Sequence, residues 1–130
     1  GSSMVGLWNV ARYVRNAVVT VPAFAVGEAT GDCRMEPGVH IVCTGVTAWA
    51  WEGGGTEFGN VFLTDLLPSL EDDRLALLRH ERRHATQWAL LGPVGMGLGY
   101  PVLFRIQGKC NAFEADAGFR DGGYVDCPAP

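Results

Sequence analysis

One segment of this 130-residue chain constrains the fold far more tightly than any other. From Ser69 to Gly92-Pro93, the apolar residues Leu75, Leu78, Ala85 and Trp88 recur at helical spacing. Asp72, Arg79, Arg82, Arg83 and Thr86 fall largely on another side. That is the pattern of a helix with one face buried and one in water. Ser69 is suited to cap its start, with Asp72 three residues on and Glu71 in the first turn, where negative charge suits the helix dipole. Gly92-Pro93 is expected to stop it.

On this helix stands His80-Glu81-Arg82-Arg83-His84, the pattern His-Glu-x-x-His. Residues four apart lie one above the other on a helix, so two imidazoles at this spacing can converge on one zinc ion at about 2.0–2.1 Å. The glutamate beside the first histidine is then placed to take a proton from water held at the metal. The pattern is short, but the chain has only 3 histidines and two of them are here. The apolar residues on the same helix also give the motif a buried neighbourhood.

A zinc site that does chemistry needs a third protein ligand and an open fourth position. Glu114, Asp116, Asp121 and His40 are the candidates. Glu114 is favoured, because Asn111 to Ala117 reads as a short helix on which a carboxylate sits beside apolar Phe113 and Ala117. Such a group is costly to bury unless paired or metal-bound. Asp116 suits an orienting role, accepting from the other nitrogen of a zinc histidine. Tyr100 is the favoured donor to a developing oxyanion, with Tyr124 and Arg105 as rivals. Trp49, Trp51 and Trp88 read as core.

The rest of the chain reads as one α+β domain over residues 4–130, after a Gly1-Ser2-Ser3 cloning scar. Val5 to Val19 is an amphipathic helix with Leu7, Val10, Ala11, Val14 and Val18 as its apolar side, interrupted at Pro22. Val39 to Val46 and Gly59 to Thr64 read as strands, with Gly53-Gly54-Gly55 as a turn between them. Ala85 to Phe104 carries no charge and is long enough to cross a bilayer. Its glycines and prolines argue instead for a buried helix end followed by a Gly-rich connection, and no membrane span is expected.

A net charge of −4 leaves no basic surplus for phosphates, so no nucleic-acid partner is expected. Cys33, Cys43, Cys110 and Cys127 contain no Cys-x-x-Cys knuckle. Local bridges 33–43 and 110–127 and free thiols are balanced expectations. The lack of a recognisable leader favours the cytoplasm, and bridged cysteines would favour an extracytoplasmic place.

The run His80-Glu81-Arg82-Arg83-His84-Ala85-Thr86-Gln87-Trp88, a Gly-rich apolar stretch with Tyr100, and then Asn111-Ala112-Phe113-Glu114 resembles the compact bacterial zincin-like metallopeptidases of the gluzincin kind. The resemblance covers about Gly59 to Ala117. It implies a small, mostly antiparallel sheet packed on the motif helix, with His80, His84 and Glu114 as zinc ligands and Glu81 as general base. It further implies an edge strand through Asn60, Val61 and Phe62 that pairs with a peptide substrate. The chain departs from the family pattern in the charged Arg82 and Arg83 inside the motif. It departs again at Gly118, where gluzincins often carry an aspartate. The expected activity is zinc-dependent peptide hydrolysis, with a non-catalytic zinc-binding scaffold as the alternative.

Overall fold

The structure is a computed structural model and describes residues 2–46, 55–124 and 126–128. Its architecture is α+β, a four-stranded mixed sheet with helices on both faces. Helix α1 (Ser2–Thr30) leads into the hairpin β1 (Asp32–Glu36) and β2 (His40–Thr44), which turns through Gly38 and Val39, both with positive φ. Strands β3 (Gly55–Phe58) and β4 (Val61–Thr64) form a second hairpin. The order is β1-β2-β4-β3, antiparallel except for β2 against β4.

Side-chain alternation sorts the core. Ile41, Cys43, Val61 and Leu63 face α1 and pack with Ala23, while Val42 and Phe62 face the next helix and pack with Leu78. Every residue of β4 is buried, which corrects the expected edge strand: Val61 and Phe62 lie in an interior strand, and Asn60 lies in the turn before it. A continuous Val-Phe-Leu run suits burial on both faces. Among the described residues the edge beside the motif helix is β3, whose Gly55 had been read as part of a turn.

Helix α1 departs from expectation twice. It runs on through Pro22 to Thr30, because Pro22 is solvent-exposed while residues on either side remain packed. It is also turned inside out. The side chains against the domain are Arg12, Asn16, Thr20 and Ala23, whereas Val14 is 66% and Val18 73% exposed. Arg12 donates to Thr86 and to the Gly38 carbonyl, and Asn16 to Asn60 and the Ala85 carbonyl. These bonds satisfy Asn16 and the terminal nitrogens of Arg12, leave Arg12 Nε without a partner among the described residues, and hold α1 across the motif helix. Thr86, expected in solvent, is therefore buried.

Helix α2 (Glu71–Gln107) carries the motif and bends at Gly92, where φ is 77°. Ser69 does not cap it. Leu70 holds that position without a side-chain bond, and Glu71, Asp72 and Asp73 supply negative charge to the first turn. The expected connection after Gly92-Pro93 is instead a second helical piece, since proline is favoured at a first helical position. Its Met96 packs inward, but Val94, Leu98, Val102 and Ile106 are exposed, as is Leu90 before the bend. A single 3-10 turn leads to α3 (Ala112–Ala117), capped by the Asn111 side chain, which accepts from the Glu114 N–H at 3.1 Å. Two disulfides, Cys33–Cys43 across the first hairpin and Cys110–Cys127 around α3, pair all four cysteines.

Candidate metal centre

One turn of α2 separates His80 from His84 and brings their Nε2 atoms to 3.1 Å. From α3, Glu114 Oε1 lies 2.8 Å from the first and 2.7 Å from the second. All three side chains are buried, and among the described residues they form the group of His, Cys, Asp and Glu fit to hold a metal. Two ligand nitrogens at about 2.05 Å from a tetrahedral ion stand about 3.3 Å apart, close to the 3.1 Å between the two Nε2 atoms, while the Glu114 oxygen sits nearer, at hydrogen-bond distance from both.

The outer nitrogens decide what the inner ones can do. His80 Nδ1 lies 2.7 Å from the Gly118 carbonyl, which only accepts, so Nδ1 carries the proton. His84 Nδ1 lies 2.8 Å from Gln87 Oε1. The Gln87 amide nitrogen donates to the Phe113 carbonyl and to Asp116, which leaves its oxygen as acceptor. Both Nε2 atoms thus present lone pairs toward a carboxylate oxygen. Three acceptors converge on one buried point with no donor among them, and only a cation or an added proton relieves that. Without a metal the proton goes to His84. Burial would lower its pKa, but the hydrogen bond and charge of Glu114, with Glu81, hold it up at about 9. Burial likewise would raise Glu114, and the two imidazoles and Tyr100 outweigh it and hold the carboxylate ionised.

Local sequence explains the precision. Asn111 fixes the start of α3, and Gly118, with φ 98°, ends it so that its carbonyl meets His80. A methyl group at Gly122 would lie 2.5 Å from His80 Cε1, so the backbone there rests against the ring.

Beside the triad a cavity of about 160 Å³ is walled by Thr56, Glu57 and Phe58 of β3, by Glu81, His84 and Trp88, and by Met96, Tyr100 and Tyr124. Glu81 borders it without joining the triad. Burial chiefly, offset by His84 and reinforced by Glu57, pushes its pKa up to about 8. Tyr100 donates to Glu114 Oε2 at 2.5 Å, so in this state it steadies the ligand carboxylate rather than waiting free. Burial and that bond raise its pKa. Trp88 walls the cavity and donates to the Glu57 carbonyl at 3.0 Å, where core packing had been expected. Trp49 and Trp51 lie outside the described residues.

Three expected candidates sit elsewhere. Asp121 is held by Arg79 at 3.0 Å. Asp116 meets neither histidine: it accepts from Arg83 at 2.8 Å and from Gln87, and reaches His84 only through that glutamine. The aspartate side chain is short and starts from the exposed side of α3. Arg105 is exposed on the distal part of α2. His40 is not in the triad either. It forms a wholly buried pair with Glu57 at 2.8 Å, and its Nδ1 has no partner among the described residues. Burial first, then the charges of Arg82 and Arg12, lower the His40 pKa to about 3, and burial raises Glu57 well above the carboxylate range. The two therefore share one proton as a neutral pair. Sequence reasoning missed Gln87, Gly118, Gly122 and Glu57. Of these only Gln87, three residues after His84 on the same helix face, left a signal.

Comparison of the chain with protein-family models, with curated proteins and with solved structures finds no match.

Proposed function

We propose that the protein is a zinc-dependent peptidase. The observation that carries this reading is the convergence of two Nε2 lone pairs and one carboxylate beside a second, unligated glutamate at the wall of a cavity. Two imidazoles and a carboxylate are a donor set that suits zinc with one position left open. When bound, the metal supplies a Lewis acid that polarises a carbonyl and acidifies water.

The remaining work falls to the chain. Glu81 removes a proton from the attacking water and returns it to the leaving amine as the C–N bond breaks, so one carboxylate serves both steps. A group with its pKa near neutrality suits that exchange. Gln87 and the Gly118 carbonyl keep both imidazoles in the Nδ1–H form. Tyr100 orients Glu114 and lies close enough to the cavity to turn its hydroxyl to substrate. An extended peptide would pair with the outer edge of β3, which takes the role expected of residues 60–62. The two arginines inside the motif do not oppose this: Arg83 binds Asp116 and Arg82 leans toward the Pro37 carbonyl. Two disulfides favour an extracytoplasmic place over the cytoplasm.

The test is Glu81→Gln, assayed with fluorogenic unstructured peptides and paired with elemental analysis. Zinc at about one per chain should persist while hydrolysis falls by about 10²–10⁴-fold. Zinc without hydrolysis in the unaltered protein would favour the non-catalytic scaffold, and a chain that takes up no zinc would end both readings.

A further inference from the structure

We infer that the outer faces of α1 and of α2 beyond Gly92 form one surface that seats the domain on a lipid bilayer, embedding shallowly without crossing it. Exposed large apolar side chains are normal when scattered. Here they are concentrated: Val10, Val14 and Val18 on α1, and Val94, Leu98 and Val102 on α2, are each more than half exposed and follow one another at helical spacing. The two helices meet short of the bend, where Arg15 of α1 donates to the carbonyl of Ala89, next to exposed Leu90. Only 11% of the most apolar 18-residue window of α2 is buried, so this is not the core helix of a globular protein.

Three observations select lipid over a protein partner. First, the most exposed side chains are aliphatic, with Trp8 and Phe24 of α1 less exposed, whereas protein hot spots favour Tyr, Trp and Arg and contain little Leu or Val. Second, the polar residues of α1 are drawn inward to Thr86, Gly38, Asn60 and Ala85, which leaves the outer side to valines. Third, on α1 and from Ala85 to Gln107 the charged residues are Arg12, Arg15, Glu28 and Arg105, so cations outnumber the one anion in a chain of net charge −4. Exposed Arg15 and Arg105 therefore complement anionic headgroups. By length and composition alone α2 could cross a bilayer, but it bends at Gly92 and its earlier part is packed in the domain. The piece after Gly92 is roughly 22 Å long, against a hydrocarbon core of about 30 Å. Helix α1 is bound lengthwise to the domain, so only its opposite side can meet lipid. The docking surface stands independently of any turnover.

The experiment is flotation of the full, disulfide-bonded chain with vesicles of phosphatidylcholine alone and with phosphatidylglycerol added. Binding is expected, stronger on the anionic vesicles. Val14→Asp and Leu98→Asp, on separate helices at exposed positions, should each reduce the bound fraction about tenfold or more, with circular dichroism unchanged. Leu66→Asp, at an equally exposed leucine outside both helices, should float like the unaltered protein. Failure to float with either vesicle, or equal loss with Leu66→Asp, would overturn the inference. So would a dimer in sedimentation equilibrium that Val14→Asp dissolves while vesicles bind nothing, which would assign the surface to a second copy.

Discussion

Replacing Gly122 by alanine adds one methyl group far from the ligand triad in sequence, yet it should cost the protein much of its metal affinity. The added Cβ would lie 2.5 Å from His80 Cε1 and 2.7 Å from both ring nitrogens. Ordinary contact requires roughly another 1 Å. The ring cannot yield that much without loss, because Nδ1 is held at 2.7 Å by the Gly118 carbonyl and Nε2 lies in the triad. Metal–ligand distances tolerate only about 0.2 Å. The displacement therefore releases the Gly118 bond, the ligand geometry, or both, and losing one orienting partner alone costs about 10–100-fold in affinity. Overpacking should also lower stability by about 1–3 kcal/mol. The measurement is zinc affinity by competition with a chromophoric chelator, alongside melting with and without zinc. Gly123→Ala is the control: its φ of 85° strains an alanine, but nothing lies within 4 Å of the new methyl group. If Gly122→Ala binds zinc as tightly as the unaltered chain, His80 is not positioned as argued.

Three other outcomes follow from the same geometry. Glu114→Ala should weaken zinc binding more than Asp116→Ala, and Asp121→Ala should leave it unchanged, all read by the same competition; an equal loss with Asp121→Ala would move the third ligand. Gln87→Ala should lower zinc affinity about 10–100-fold while keeping the stoichiometry at saturation, and unchanged affinity would mean that the His84 tautomer needs no support. The His40–Glu57 pair keeps one proton while the unfolded chain binds two below about pH 4.5 and none above about 6.5, so its own contribution to stability, read as the difference between the unaltered chain and a His40→Gln/Glu57→Gln double variant, should be flat between those values and fall on both sides. Each limb of that difference should approach about 1.4 kcal/mol per pH unit in chemical denaturation, on top of the slopes that Glu81, His84 and Glu114 give both proteins, and a difference that does not vary with pH would refute the shared proton.

The site was legible where chemistry is local. His80, Glu81 and His84 share one turn of helix, and the helical period alone dictates that they meet. Glu114 was readable for a related reason: an Asn cap and flanking apolar residues mark a short helix with a carboxylate that needs a partner. What could not be read depends on the backbone's path. The Gly118 carbonyl has no side chain to advertise it, and Gly122 matters through the atom it lacks. Asp116 and Gln87 show the limit from the other side. Both are polar and near the histidines, and only the relative rotation of α2 and α3 decides which one touches His84. The sheet was read only in part, with β1 and β3 missed, for a similar reason. Val61-Phe62-Leu63 announces a strand, but whether a strand lies inside or at an edge depends on Gly55 to Phe58, a segment too short and too polar to declare itself.

Helix α1 failed differently. The rule that apolar residues point to the core assumes that everything outside the core is water. On α1 the periodicity was read correctly, and the face it marks is real, but it is the outer face. Arg12 and Asn16 could be drawn inward because Gly38, Asn60, Ala85 and Thr86 offer acceptors there, and a satisfied polar side chain costs little to bury. Nothing comparable rewards valines for facing water. A sequence that spends its polar residues on inner contacts and its valines on the surface is consistent only if the surface is covered. Beyond Gly92 a stretch read as a Gly-rich connection is a helix with an exposed aliphatic row of its own. Two separate helices thus turn aliphatic side chains outward, which is what the proposed apolar surrounding would produce.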